Sequence, residues 1–92
     1  MYRRVTFEPQ AFLDYTDWQE STFSRVSLVG SLMFDAIQML IQHGVSEKST
    51  AVTYESMDAW SLKIWRKHHL IYQINDEEIR ILSCRYRKPY VV

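Results

Sequence analysis

Only one cysteine, two glycines and two prolines occur in the 92 residues, and each scarcity removes a class of protein. A lone thiol, Cys84, cannot close an internal disulfide, and no cluster of thiols offers a zinc site, so a reducing cytoplasm is the expected compartment. Glycine this sparse leaves no phosphate-cradling loop. The net charge is zero, which argues against a polybasic clamp but permits a local basic patch. No hydrophobic run is long enough to cross a bilayer, because the stretch from Leu28 to Ile41 is interrupted by Gly30, Asp35 and Gln38. Met1 to Thr6 has no apolar core behind its two arginines and does not read as a signal peptide.

What remains has the composition of a packed domain, 47% apolar and 24% charged. The length predicts one domain over residues 1–92. Aromatic residues are abundant, at 14%, so the rings have to be divided between core and surface.

Tyr2 to Phe7 is β-branched and aromatic and stops before Pro9, which predicts an opening strand. Pro9 suits the first turn of a helix, where a backbone N–H is unpaired in any case. Ala11, Tyr15, Trp18 and Thr22 then recur at helical spacing. Ser21 and Thr22 offer caps for a second helix, whose buried face runs through Val26, Val29, Met33, Ile37, Leu40 and Ile41 to a stop at Gly44. Val45 to Ala59 is polar and aperiodic and predicts a loop. Beyond it the period becomes two, in Trp60–Trp65, His69–Ile74 and Ile79–Cys84, with a turn at Asn75-Asp76-Glu77-Glu78. The expected class is α+β in the order β-α-α-β-β-β, a small antiparallel sheet with a helical hairpin on one face.

Charge is distributed unevenly along this plan. Residues 1–46 hold three basic and five acidic residues, and residues 47–92 hold eight basic and six acidic. Two basic clusters fall on the strands. One is Lys63, Arg66, Lys67, His68 and His69 beside Trp60, Trp65 and Tyr72, and the other is Arg85, Arg87 and Lys88 interleaved with Tyr86 and Tyr90. Cations that meet phosphates beside rings that stack on unpaired bases suit single-stranded RNA. Lys63, Lys67, Arg85, Tyr86, Lys88 and Tyr90 are the candidate RNA-binding residues. Lysine and arginine on strands also discourage edge-to-edge aggregation, so the same pattern fits a plain solvated face. His68 and His69 point to opposite sides of a strand and cannot chelate together, so no metal site is expected. Cys84, in an apolar run, reads as a small core side chain.

Asp14-Tyr15-Thr16-Asp17-Trp18-Gln19 resembles the Asp-Tyr-x-x-Trp-Gln signature of the YoeB/Txe toxins, members of the RelE/ParE superfamily of bacterial toxin–antitoxin systems. Trp60-Ser61, then His68, Leu70 and Tyr72, then the acidic turn and Cys84-Arg85-Tyr86, follow the family's C-terminal order. The resemblance implies a cytoplasmic, ribosome-dependent mRNA endonuclease that inhibits translation and needs no metal or cofactor. It also implies a cognate antitoxin, contact with ribosome and mRNA, and a possible homodimer.

In that family the ribose 2′-hydroxyl attacks the adjacent phosphate, helped by a loop glutamate, an arginine on the middle strand and a histidine near the C-terminus. Here His69 holds the arginine position and Arg87 the histidine position. Counting back from Trp60, the glutamate position falls near Thr50, and Glu47 and Glu55 are the neighbouring carboxylates. Two readings stay open. In one, His69 and Arg87 have exchanged roles and Glu47 supplies the loop carboxylate of an active endoribonuclease. In the other, the fold persists as a catalytically degenerate module that binds protein or RNA.

Overall fold

The computed structural model describes residues 2–20, 24–66, 68–85 and 90–91, so the caps expected at Ser21 and Thr22 lie outside the described residues. In chain order the elements are β1 (Arg4–Phe7), α1 (Pro9–Glu20), α2 (Ser24–His43), β2 (Thr50–Tyr54), β3 (Met57–Trp65), β4 (His68–Ile74), β5 (Glu78–Ser83) and β6 (Tyr90–Val91). They build one sheet in the order β1-β5-β4-β3-β2-β6. Two helices and a mixed sheet give the expected α+β class, with the helical pair against one face. Among the described residues no helix is long and apolar enough to cross a membrane.

Local chemistry sets the element ends. Pro9 opens α1, and the Phe12 amide donates to the Glu8 carbonyl at 3.0 Å. α2 stops at Gly44, whose φ of 80° is the left-handed conformation that glycine adopts without strain, with its amide donating to Leu40 O at 3.1 Å. The turn between β4 and β5 forms where expected, with Asn75 Oδ1 accepting the amides of Glu77 and Glu78 at 2.8 Å each. α1 and α2 cross at Gly30. A Cβ there would lie 2.6 Å from the Trp18 carbonyl oxygen, so glycine permits the approach, and Gln19 Nε2 donates to Gly30 O at 2.7 Å.

Three features depart from the sequence expectation, the last of them β6, a short strand that extends the sheet beyond β2. The segment Val45–Ala59 is not all loop: Thr50–Tyr54 and the start of β3 form a hairpin with Tyr54 opposite Met57. Its two turn residues, Glu55 and Ser56, both have positive φ, 49° and 68°. Such a turn ordinarily advertises itself with Asn or Gly, and here neither is present. The second departure is that β1 pairs with β5 in parallel, Val5 opposite Ile79 and Phe7 opposite Ile81. The chain leaves β1 through the helical hairpin before it returns to the sheet, so a hairpin turn never constrains that pairing.

The main core lies between helices and sheet. Trp18, Val29, Met33, Ile37 and Leu40 meet Leu62, Leu70, Tyr72, Ile79, Ile81 and Cys84 there. A second cluster, Val52, Ala59, Ile71 and Leu82 with Tyr54 and Met57 against it, contains no helical residue and covers the other face.

Candidate functional site

Strand alternation decides which side chains can meet. On β3, Trp60, Leu62 and Ile64 join the helix-side core, so Ala59, Ser61 and Lys63 face the opposite, helix-free side. On β4, Leu70 and Tyr72 face the helices, and His69 and Ile71 face away. A bulge between β4 and β5 leaves Leu82 as an extra residue between the pairs Tyr72–Ile81 and Ile71–Ser83. The ladder then aligns Thr50 with Ser61, Ser61 with Ile71, and Lys63 with His69.

This register gathers polar residues at one end of the open face. Ser61 Oγ and His69 Nδ1 are 2.8 Å apart, Lys63 pairs with His69 across the ladder, and Thr50 stands opposite Ser61. His69 is half-buried, and burial first and the Lys63 ammonium second hold its pKa below the ordinary 6.5. A histidine so placed is neutral near pH 7, with Nδ1 engaged and Nε2 as the nitrogen for proton transfer. Beyond Lys63 the β3–β4 bulge and Arg66, at a φ of 51°, carry a guanidinium 5.7 Å from the Trp65 ring centre.

Glu47 lies in the connection between α2 and β2. Tyr72 anchors that connection, its hydroxyl 2.6 Å from Ser49 Oγ, and burial raises the Tyr72 pKa although bonds to Ser49 and the Ser46 backbone favour its ionised form. Glu47 is exposed and lines a groove of about 600 Å³ together with Leu32, Met39, Val45, Leu62 and Lys63. Glu47 shares that groove with Lys63, His69 pairs with Lys63 across the ladder, and among the described residues no hydrogen bond or ion pair joins Glu47 to His69. Thr50, to which counting assigned the family glutamate, stands in the same register row as Ser61.

Arg85 is placed differently from Lys63. Its Nε lies 3.2 Å from Asp14 Oδ1 and its Nη2 3.3 Å from Asp17 Oδ2, and its Cζ sits 4.9 Å from the Trp18 ring centre. Trp18 Nε1 donates to Cys84 O at 2.7 Å, and Cys84 Sγ donates to Ala11 O at 3.0 Å. The Asp-Tyr-x-x-Trp segment of α1 therefore grips the end of β5. Arg87, Lys67, Tyr86 and Lys88 lie outside the described residues, and Tyr90 is described in its backbone alone, opposite Thr53. Among the described residues no three His, Cys, Asp or Glu side chains are grouped to hold a metal ion.

Ser61 is the site residue that sequence reading did not single out. Alternation puts it on the face of Lys63, but only the β3–β4 register brings it to His69.

A helical hairpin over a mixed sheet is the architecture of a known toxin class. The family profile described as "YoeB-like toxin of bacterial type II toxin-antitoxin system" matches residues 7–88, and the chain belongs to that family. Within it, the chain is 30% identical over 88 residues to Toxin YoeB of Mycobacterium bovis, covering 91% of this chain and 96% of the relative. The YoeB dimer from Staphylococcus aureus superposes with a TM-score of 0.79 at 25% identity, over 96% of this chain and 100% of that one. YoeB in the YoeB–YefM complex from the same organism superposes at 0.75 with 24% identity, again over 96% of this chain and 100% of that one, and shares the fold.

Proposed function

We propose that this chain is a cytoplasmic, single-domain endoribonuclease toxin that cuts ribosome-bound mRNA without a metal ion and is neutralised by a cognate antitoxin. The observation that carries the reading is the Ser61–His69 hydrogen bond of 2.8 Å beside Lys63 on the open face. It orients an imidazole by a hydroxyl, next to a cation on the neighbouring strand. The antitoxin partner and a homodimer are supported by the S. aureus relatives, one a dimer and one a complex with YefM.

In this mechanism Nδ1–H of His69 donates to Ser61 Oγ, which leaves the Nε2 lone pair to take the proton of the ribose 2′-hydroxyl. The 2′-oxygen attacks the adjacent phosphorus, the P–O5′ bond breaks to leave a 2′,3′-cyclic phosphate, and the departing 5′-oxygen takes a proton from solvent water while His69 keeps the one it removed. Lys63 stabilises charge on the phosphorane. Arg87 is assigned the phosphate clamp and Glu47 the supporting carboxylate. Lys67, Tyr86, Lys88 and Tyr90 are assigned to the RNA strand.

Induced expression is expected to arrest growth and leave message cut within translated codons. His69→Ala is expected to lower cleavage by roughly 10²–10⁴-fold in protein that remains folded. Normal growth with intact ribosome-bound message refutes the catalytic reading. A second reading, a degenerate binding module, is favoured by the separation of Glu47 from His69 and by Thr50 at the glutamate position. Under it, His69→Ala changes affinity at most.

A further inference from the structure

One indole touches both the chain neighbour of His69 and the two residues that follow β5. Trp18 is 6% exposed. Its N–H is spent on the Cys84 carbonyl, and its ring lies against the Arg85 guanidinium. It also meets the His68 ring edge-on, with centroids 5.0 Å apart and planes at 76°. His68 immediately precedes His69, and Arg85 precedes Arg87 by two residues.

We infer that Trp18, together with the Asp14–Arg85–Asp17 ion pairs, is a positioning device for the proposed site. Arg85 in this arrangement is a structural cation and not an RNA ligand. The inference rests on the nuclease reading and deepens it.

The physical argument starts from alternation. His68 and His69 leave the strand on opposite sides, so a ring held against Trp18 on the helix side fixes the backbone that presents His69 to the open face. At the end of β5 an indole N–H, two carboxylates and a ring face converge on two successive residues. A planar guanidinium meets those partners at once, which a lysine ammonium cannot do. Catalytic groups must be held to within about half an ångström, and misplacement by roughly 1 Å can cost about 10²-fold in rate. Loosening at Trp18 therefore reaches His69 through the adjacent residue His68, with no contact between Trp18 and RNA.

The test compares Trp18→Phe, Arg85→Gln and the double variant in the full-length chain, using ribosomes programmed with a defined mRNA, at a temperature where each variant is folded. Phe keeps a ring in the core but removes the N–H and part of the buried indole, so the comparison is made only where the variant is shown to be folded. Both single variants should lower kcat by roughly ten- to a hundredfold with KM unchanged, and amide exchange at residues 84 and 85 should accelerate about tenfold. The double variant should be no worse than the poorer single one, because residues acting as a unit are not additive. A raised KM with unchanged kcat in Arg85→Gln, beside a Trp18→Phe variant that behaves as wild type, overturns the inference and makes Arg85 an RNA contact. Additive losses overturn it as well. Should the wild-type chain leave message intact, the nuclease reading falls, and the exchange measurement on the two single variants alone decides whether Trp18 and Arg85 hold the end of β5.

Discussion

The two faces of the sheet are built to different rules. On the helix side, Leu70, Tyr72, Ile79 and Ile81 are fully buried against both helices. On the open side four buried residues form a much smaller cluster, and polar side chains take over at one end of it, with Ser61, Lys63 and His69 in register. Strand β4 belongs to both faces, since Leu70 packs in the core while His69, one residue earlier, faces the open side. The period of two lets each strand stabilise the fold with one set of side chains and carry chemistry with the other. Substitutions on the first face should read out as stability, and those on the second as activity or titration.

Leu70→Ala breaks the comparison at its strongest point. The side chain is fully buried in the helix-side core, and deleting it leaves a cavity lined by both helices and the sheet. An expected loss of about 2–5 kcal/mol threatens folding outright, because small domains hold only about 5–15 kcal/mol in total. Chemical denaturation measures it. A loss below about 1 kcal/mol would mean that the two faces share stability more evenly than their burial implies.

Gly30→Ala attacks the same face from outside the sheet. A methyl at 2.6 Å from the Trp18 carbonyl oxygen cannot be accommodated by rotating a side chain, since the obstacle is backbone. The helices must separate, at an expected cost of about 1–3 kcal/mol, despite alanine's better helix propensity. An unchanged or raised melting temperature contradicts the close crossing.

The elements with local signals were legible in the sequence. Helical spacing located α1 and α2, alternation located β3 to β5, and Asn75 marked their last turn. Charge resolved along the chain pointed to the strands that carry Lys63 and His69. The rest depended on contacts distant in sequence. β2 was hidden because Glu55 and Ser56 make a tight turn without the residues that announce one. Glycine at position 30 looked like a flaw in an apolar run until the crossing with Trp18 explained it. The ion pairs of Arg85 were hidden because its partners, Asp14 and Asp17, lie at the other end of the chain. Ser61 could be assigned to His69 only once the register was known.

A smaller effect is expected at the edge of the open face. Arg80 Nε donates to Glu8 Oε1 at 2.6 Å, linking β5 to the residue before α1, and both residues line a cleft of about 310 Å³. The two side chains are 49% and 36% exposed, so solvent screens much of the attraction. Arg80→Ala should cost no more than about 1 kcal/mol, and the difference from wild type should shrink in high salt. A larger, salt-independent loss measured by denaturation would place the pair in the load of the fold.

Lys63→Met is expected to change stability least, within about 0.5 kcal/mol, because Lys63 is exposed on the open face. Its effect belongs to His69. The His69 pKa lies below 6.5 chiefly through burial and secondarily through the Lys63 ammonium. Removing that cation eliminates a cost of protonation, so the pKa must rise. Burial persists, so it should stop short of 6.5. If neutral His69 accepts the 2′-hydroxyl proton, the acid limb of the cleavage profile moves up with it, and the variant loses activity at a higher pH than wild type. Loss of phosphorane stabilisation lowers the plateau separately, so the position of the limb is the quantity to compare. An NMR titration of the His69 ring reads the same shift without any cleavage. A ring pKa that stays fixed or falls means that Lys63 and His69 do not share the field that their register implies, and an activity limb that moves without the ring means that another group titrates.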